Sequence, residues 1–116
     1  MRSHHTGGLI LHGPFLTRRE AALRAGMSPA ELRFHPGLLR LGGRIVLQEA
    51  YAGFQFDVHG IRDDLAAVVE VFGAGADPWE VCDWITRPNT ALGGKSPLTF
   101  LDEGGGLQRV IGAAHA

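Results

Sequence analysis

"WITRPNTALGGKSPLTFL", residues 84–101, joins the apolar end of one helical segment to the Pro-started beginning of another. Pro88 biases Arg87 away from helix, so the preceding element must end there. Asn89 favours a turn, and Gly93-Gly94 lets the backbone fold back tightly. Ser96-Pro97 then supplies a cap and a first helical residue for "PLTFL". Such a loop, bounded by two prolines, loses little entropy on ordering and therefore suits a recognition surface.

The elements on either side follow from caps and periodicity. "IRDDLAAVVEVFG", residues 61–73, places Ile61, Leu65, Val68, Val69 and Phe72 at helical spacing, with early acids matching the helix dipole and Gly73 to terminate it. After "GAGAD", the run Asp77-Pro78-Trp79-Glu80 repeats the logic of cap, proline and acid for a helix reaching about Thr86. Val81, Trp84 and Ile85 fall on one face of that helix. Trp79 falls on another, either as a lid on the core or as an exposed anchor.

The first half of the chain carries a different pattern. Thr17 with Glu20, and Ser28 with Glu31, each form a capping box, and Gly26 is placed to end the first helix in a left-handed conformation. Two capped helices around Gly26-Met27 give a helix-turn-helix pattern. Pro36 limits the second helix to about six residues. "LLRLGGRIVL" then predicts a hairpin turning at Gly42-Gly43, and "YAGFQFD" a further strand or extended segment.

Helix-turn-helix followed by a small hairpin is the layout of winged-helix and excisionase-like DNA-binding modules. In that frame Arg33, Arg40 and Arg44 are candidate phosphate or base contacts. Arg18 and Arg19, at the start of the first helix, are further phosphate candidates, and Ser28 opens the second. The same pattern also fits a module that serves only folding or dimerisation.

Composition bounds the alternatives. The chain has 116 residues, enough to bury roughly two-thirds of its unfolded surface without cross-links. A lone Cys82 excludes an internal disulfide framework, and no Cys/His group has zinc spacing. No apolar run approaches the ~20 residues of a membrane span, and "MRSHHTGGLILHG" lacks the features of a signal peptide. A cytoplasmic location is expected.

The net charge of -1 conceals an asymmetry between the halves. Residues 1–60 carry seven Arg against four acids, whereas residues 61–116 carry four bases against eight acids. A basic first half and an acidic second half suggest two surfaces with different partners.

Enzymatic chemistry has little support. His12, His35, His59 and the pair His4-His5 are scattered, and no base with an orienting carboxylate attends Cys82 or any serine. Gly94-Lys95-Ser96 lacks the first glycine and the preceding strand of a phosphate-binding loop. No catalytic residue, metal ligand or cofactor site is assigned.

The C-terminal half, residues 61–116, resembles the toxin-binding domain of Xre/MbcA/ParS-type antitoxins. Trp84, Pro88, Asn89, Leu92, Gly93, Gly94, Pro97 and Leu101 carry the resemblance. It implies a non-enzymatic antitoxin whose C-terminal domain blocks a RES-domain toxin that consumes NAD, and whose helix-turn-helix binds the promoter of its own operon. It further implies a homodimer or a toxin–antitoxin hetero-oligomer. Trp84, Arg87, Pro88, Asn89, Leu92, Gly93, Gly94, Lys95, Pro97 and Arg109 form the expected toxin-binding set, completed by the 105–116 segment.

The expected architecture is mainly α. A flexible arm over 1–14 precedes a helix-turn-helix and hairpin over 15–58, followed by a small α-helical toxin-binding domain over 59–116. The alternative is a stand-alone helix-turn-helix transcriptional regulator without a toxin partner.

Overall fold

The computed structural model describes residues 15–42 and 49–115. The arm expected over 1–14 and the candidate Arg44 lie outside these described residues. The chain is mainly helical, with a small sheet. Strand β1 (Phe15–Leu16) leads into α1 (Arg18–Ala25) and α2 (Pro29–Arg33), and β2 (Arg40–Leu41) and β3 (Ala50–Ala52) follow. A 3-10 turn over Gly53–Gln55 leads to β4 (Phe56–Asp57) and β5 (Gly60–Ile61). The remaining chain is α3 (Asp63–Phe72), α4 (Pro78–Thr86), a 3-10 turn over Thr90–Leu92, α5 (Pro97–Asp102) and α6 (Leu107–His115).

The capping signals act as expected. Thr17 and Ser28 each accept from the backbone N–H three residues on, and the side chains of Glu20 and Glu31 return the bond to the cap backbone. Gly26 closes α1 at φ 70°, in the left-handed region open to glycine. Asp77 caps α4 through the N–H of Trp79, and Ser96 caps α5 through that of Thr99. Helix α2 has five residues, consistent with the brake that Pro36 applies to its continuation.

Arg40–Leu41 pairs with Ala50–Ala52, Leu41 lying opposite Ala50, and the turn expected at Gly42-Gly43 falls partly outside the described residues. Strand β3 lies between β1 and β2, and all three of its residues are buried. A central strand covered on both faces needs side chains such as those of Ala50, Tyr51 and Ala52. One expectation needs correction. Ile61, read as the first residue of a helical stripe, instead pairs with Phe56 in the β4–β5 hairpin. Helix α3 begins two residues later, and its inward stripe is Leu65, Val68 and Val69 with Phe72 at the edge.

The largest core cluster joins both halves of the chain. Leu39, Leu41 and Ala52 pack with Leu65, Val68, Val81, Cys82, Ile85, Leu92, Leu98 and Val110. A second cluster gathers Ala21, Ala22, Leu32, Leu38, Tyr51 and Phe56 beneath α1 and α2. Trp79 is a lid on the core: it is buried, and its indole N–H donates to the Gly42 carbonyl at 3.0 Å.

Polar links tie distant segments within each half, and one close backbone approach joins the halves. Gln55 is 2% exposed; its side-chain oxygen accepts from the Leu39 N–H at 2.8 Å, and its amide donates to the Leu39 carbonyl at 3.2 Å. Gly37 lies directly against α3, where an added Cβ would sit 2.6 Å from Cβ of Ala66. Arg62 binds Asp64 beside it and reaches Asp102 of α5 at 2.8 Å.

Candidate toxin-binding surface

The loop between α4 and α5 is organised by Asn89. Its backbone carbonyl accepts from the N–H groups of Leu92 and Gly94, both at 3.0 Å, and its own N–H donates to the Lys95 carbonyl at 3.0 Å. Its side-chain oxygen accepts from Ala91 N–H at 2.9 Å. One residue thus closes the whole turn, which explains why an Asn with its short acceptor stands there. Gly93 and Gly94 adopt φ of 69° and 86°, a region that side-chain-bearing residues occupy only at a cost.

The loop separates into an inner and an outer layer. Leu92 is 2% exposed and Pro97 is buried at the first turn of α5, so both anchor the loop from below. Trp84 is half-buried and meets Phe72 edge-on, with ring centroids 5.2 Å apart. Arg87, Pro88, Thr90, Ala91, Gly93, Gly94 and Lys95 face outward. Nothing lies within 4 Å of a Cβ built on Gly93 or Gly94. Together with Thr90 and Ala91 they form a low surface of small residues.

The charges at its rim are paired internally. Arg87 forms an ion pair with Asp83 one turn back in α4, and Lys95 forms one with Glu103 after α5. Arg109 joins α6 to the loop: its guanidinium donates to the Ala91 carbonyl at 2.9 Å and lies 5.4 Å from the centroid of the Phe100 ring. Ala91, Thr90, Phe100 and Glu103 are the participants that sequence reading did not single out. Ala91, Thr90 and Phe100 lie inside the quoted stretch, whereas Glu103 lies beyond it and carried no local signal.

Cys82 has no reactive character. It is fully buried within α4, and burial pushes its thiol up to about 12. Among the described residues no group of three His, Cys, Asp or Glu side chains could hold a metal ion. No helix among them is long and apolar enough to cross a membrane.

The N-terminal candidates line two grooves, and Glu49 in the first meets both Arg18 and Arg40. Thr17, Arg18, Arg19, Pro29 and Glu49 line one shallow groove, which brings together the starts of α1 and α2. Arg33 and Arg40 line another with Phe34 and His35, and Arg33 rests 5.9 Å from the centroid of the Phe34 ring. Ser28 is occupied as the cap of α2. Arg18 binds Glu49 through two hydrogen bonds, at 2.9 and 2.7 Å. The Arg18 bond and charge outweigh burial and hold the Glu49 carboxyl below the usual carboxylate range.

Residues 67–111, from within α3 to within α6, match the family described as the antitoxin Xre/MbcA/ParS C-terminal toxin-binding domain. The match encloses the whole Asn89-centred loop and both helices that carry it. The match covers less than half of the chain and likens this segment to an antitoxin toxin-binding domain. No curated protein and no solved structure matches the chain.

Proposed function

We propose that the chain is an antitoxin that neutralises a RES-domain, NAD-consuming toxin, with the Arg87–Lys95 loop and α6 as the face presented to it. The observation that carries this reading is the outward layer of small residues held rigid by Asn89 and braced by Arg109, inside the segment matched to toxin-binding domains. A loop ordered before binding loses little further entropy on association. Backbone exposed at Gly93 and Gly94 admits close approach by a partner. The partner excludes NAD from its own cleft by being covered, so no catalytic group is required of this chain.

The N-terminal half is proposed to bind operator DNA, as a dimer, through Arg18, Arg19, Arg33 and Arg40, with the N-terminus of α2 directed at the duplex. The paired capping boxes and the concentration of arginine around α1 and α2 support that assignment. They equally favour the second reading, a stand-alone regulator whose C-terminal domain has no toxin.

Co-expression with the product of the adjacent gene, scored by co-purification, cellular NAD and growth, separates the two. A stable complex that restores NAD and growth supports the antitoxin. Absence of both complex and rescue, with retained DNA binding, supports the regulator.

A further inference from the structure

Two of the arginines assigned above to phosphate face one carboxylate. Glu49, just before β3, receives the Nε of Arg18 at 2.9 Å on Oε2 and its Nη2 at 2.7 Å on Oε1. The Tyr51 hydroxyl donates to Oε2 at 2.9 Å, and Nη1 of Arg40 stands 3.8 Å from Oε1. The three holders come from α1, β2 and β3, so the carboxylate occupies the point where the first turn of α1 meets the sheet.

The geometry bears on any anion that approaches this face. The Glu49 side chain is 16% exposed, while those of Arg18 and Arg40 are 43% and 45% exposed. The acid is thus enclosed, and the two bases remain open to solvent. Arg18 spends on Glu49 the same planar fork that would grip a phosphate in two-pronged fashion. The charge offered to solvent by the pair of arginines is correspondingly reduced by the acid between them.

We propose that Glu49 is an internal counter-ion that competes with nucleic-acid phosphates for Arg18 and Arg40, and so sets the DNA affinity of the N-terminal face. The proposal rests on the DNA-binding reading of that half. Tight binding then requires a duplex whose phosphates reach both guanidiniums at once, since a single phosphate must displace an acceptor already held by three donors. Loose, non-specific association with nucleic acid is suppressed by the same contact.

The test is fluorescence anisotropy of a labelled duplex taken from upstream of the chain's own gene, titrated with the full chain from about 50 to about 200 mM salt. Wild type is compared with Glu49→Gln and with Glu80→Gln, which removes the same charge from the exposed face of α4. Each phosphate engaged adds about 0.9 to the salt slope, so releasing two arginines steepens it by about 2 and tightens low-salt binding about tenfold in Glu49→Gln. Glu80→Gln keeps the wild-type slope.

A Glu49→Gln slope and affinity equal to wild type, or an equal gain in Glu80→Gln, overturns the proposal while leaving DNA binding in place. If none of the proteins binds at the lowest salt, the DNA-binding reading falls and the proposal falls with it. Circular dichroism verifies folding. Should Glu49→Gln not fold, Glu49→Asp keeps the charge but cannot reach both prongs of Arg18; it gives a smaller shift in the same direction, and an unchanged slope in folded Glu49→Asp also overturns the proposal.

Discussion

Gln55 pairs with the backbone of Leu39 as a neighbouring strand would, accepting from its N–H at 2.8 Å and donating to its carbonyl at 3.2 Å. The same amide also donates to the Ala52 carbonyl at 3.3 Å. A side chain thereby closes the sheet where the 3-10 turn of residues 53–55 leaves it open. Replacing Gln55 with Leu keeps the bulk but strands a buried donor and acceptor, so unfolding in urea should show a loss of about 3 kcal/mol. A loss well under ~1 kcal/mol would show that water or a local shift satisfies Leu39 instead.

Gly37 and Ala66 bring the two halves into close approach. A methyl group at residue 37 meets the Ala66 Cβ at 2.6 Å, and Gly37→Ala should cost about 1–3 kcal/mol by overpacking. Ala66→Gly alone should cost about 1 kcal/mol through helix propensity. Combined, the two should cost less than their sum; strict additivity in the double-mutant cycle would place the strain elsewhere.

Gly93 and Gly112 should respond in opposite directions. Gly93→Ala forces a side-chain-bearing residue to φ 69° and should destabilise by about 1 kcal/mol. Gly112 sits within α6 with open space where its Cβ would be, so Gly112→Ala should stabilise by about 0.5–1 kcal/mol. Thermal melts of the two variants against wild type decide both signs.

Arg109 holds the loop of the proposed toxin-binding face. Arg109→Ala removes the bond to the Ala91 carbonyl and should weaken toxin binding by about tenfold, roughly 1.4 kcal/mol, while stability changes by less than about 1 kcal/mol. Arg87→Glu and Lys95→Glu should weaken binding by direct repulsion with folding intact. Calorimetry on the purified complex distinguishes these cases, and unchanged affinity in all three would remove the charged rim from the interface.

Acid should unfold the chain through carboxylates held low in the folded state. Glu49 is held down by Arg18 first and Tyr51 second, and Asp64 by Arg62 together with the Leu65 N–H, which jointly outweigh its burial. A depressed folded value means that the stabilisation is present above the unfolded value of about 4 and is lost as pH falls through the folded one. Urea midpoints should be level from neutral pH to about 5 and fall below about 4. The acid limb of Glu49→Gln should be shallower than that of wild type.

What could be read directly from the sequence was local. Thr17 with Glu20, Ser28 with Glu31, Asp77 with Pro78, and Ser96 with Pro97 each place cap and partner within a turn of one another. The Pro88 to Pro97 loop was legible for the same reason, since Asn89 satisfies it almost alone. The failures involve partners distant along the chain. No local signal marked Ala50–Ala52 as the sheet partner of Arg40–Leu41. Glu49 gave no sign of gathering Arg18 and Arg40, and Glu103 none of reaching Lys95.

The shared core has a consequence for how the chain communicates. Leu39, Leu41 and Ala52 lie in one cluster with Leu92 at the base of the loop and Val110 of α6. Opening the sheet therefore uncovers side chains that seat the proposed toxin-binding face. A toxin clasping that face should slow amide hydrogen exchange in β2 and β3 as well as in its own footprint, because the occupied loop withholds from the sheet the freedom to unfold by itself.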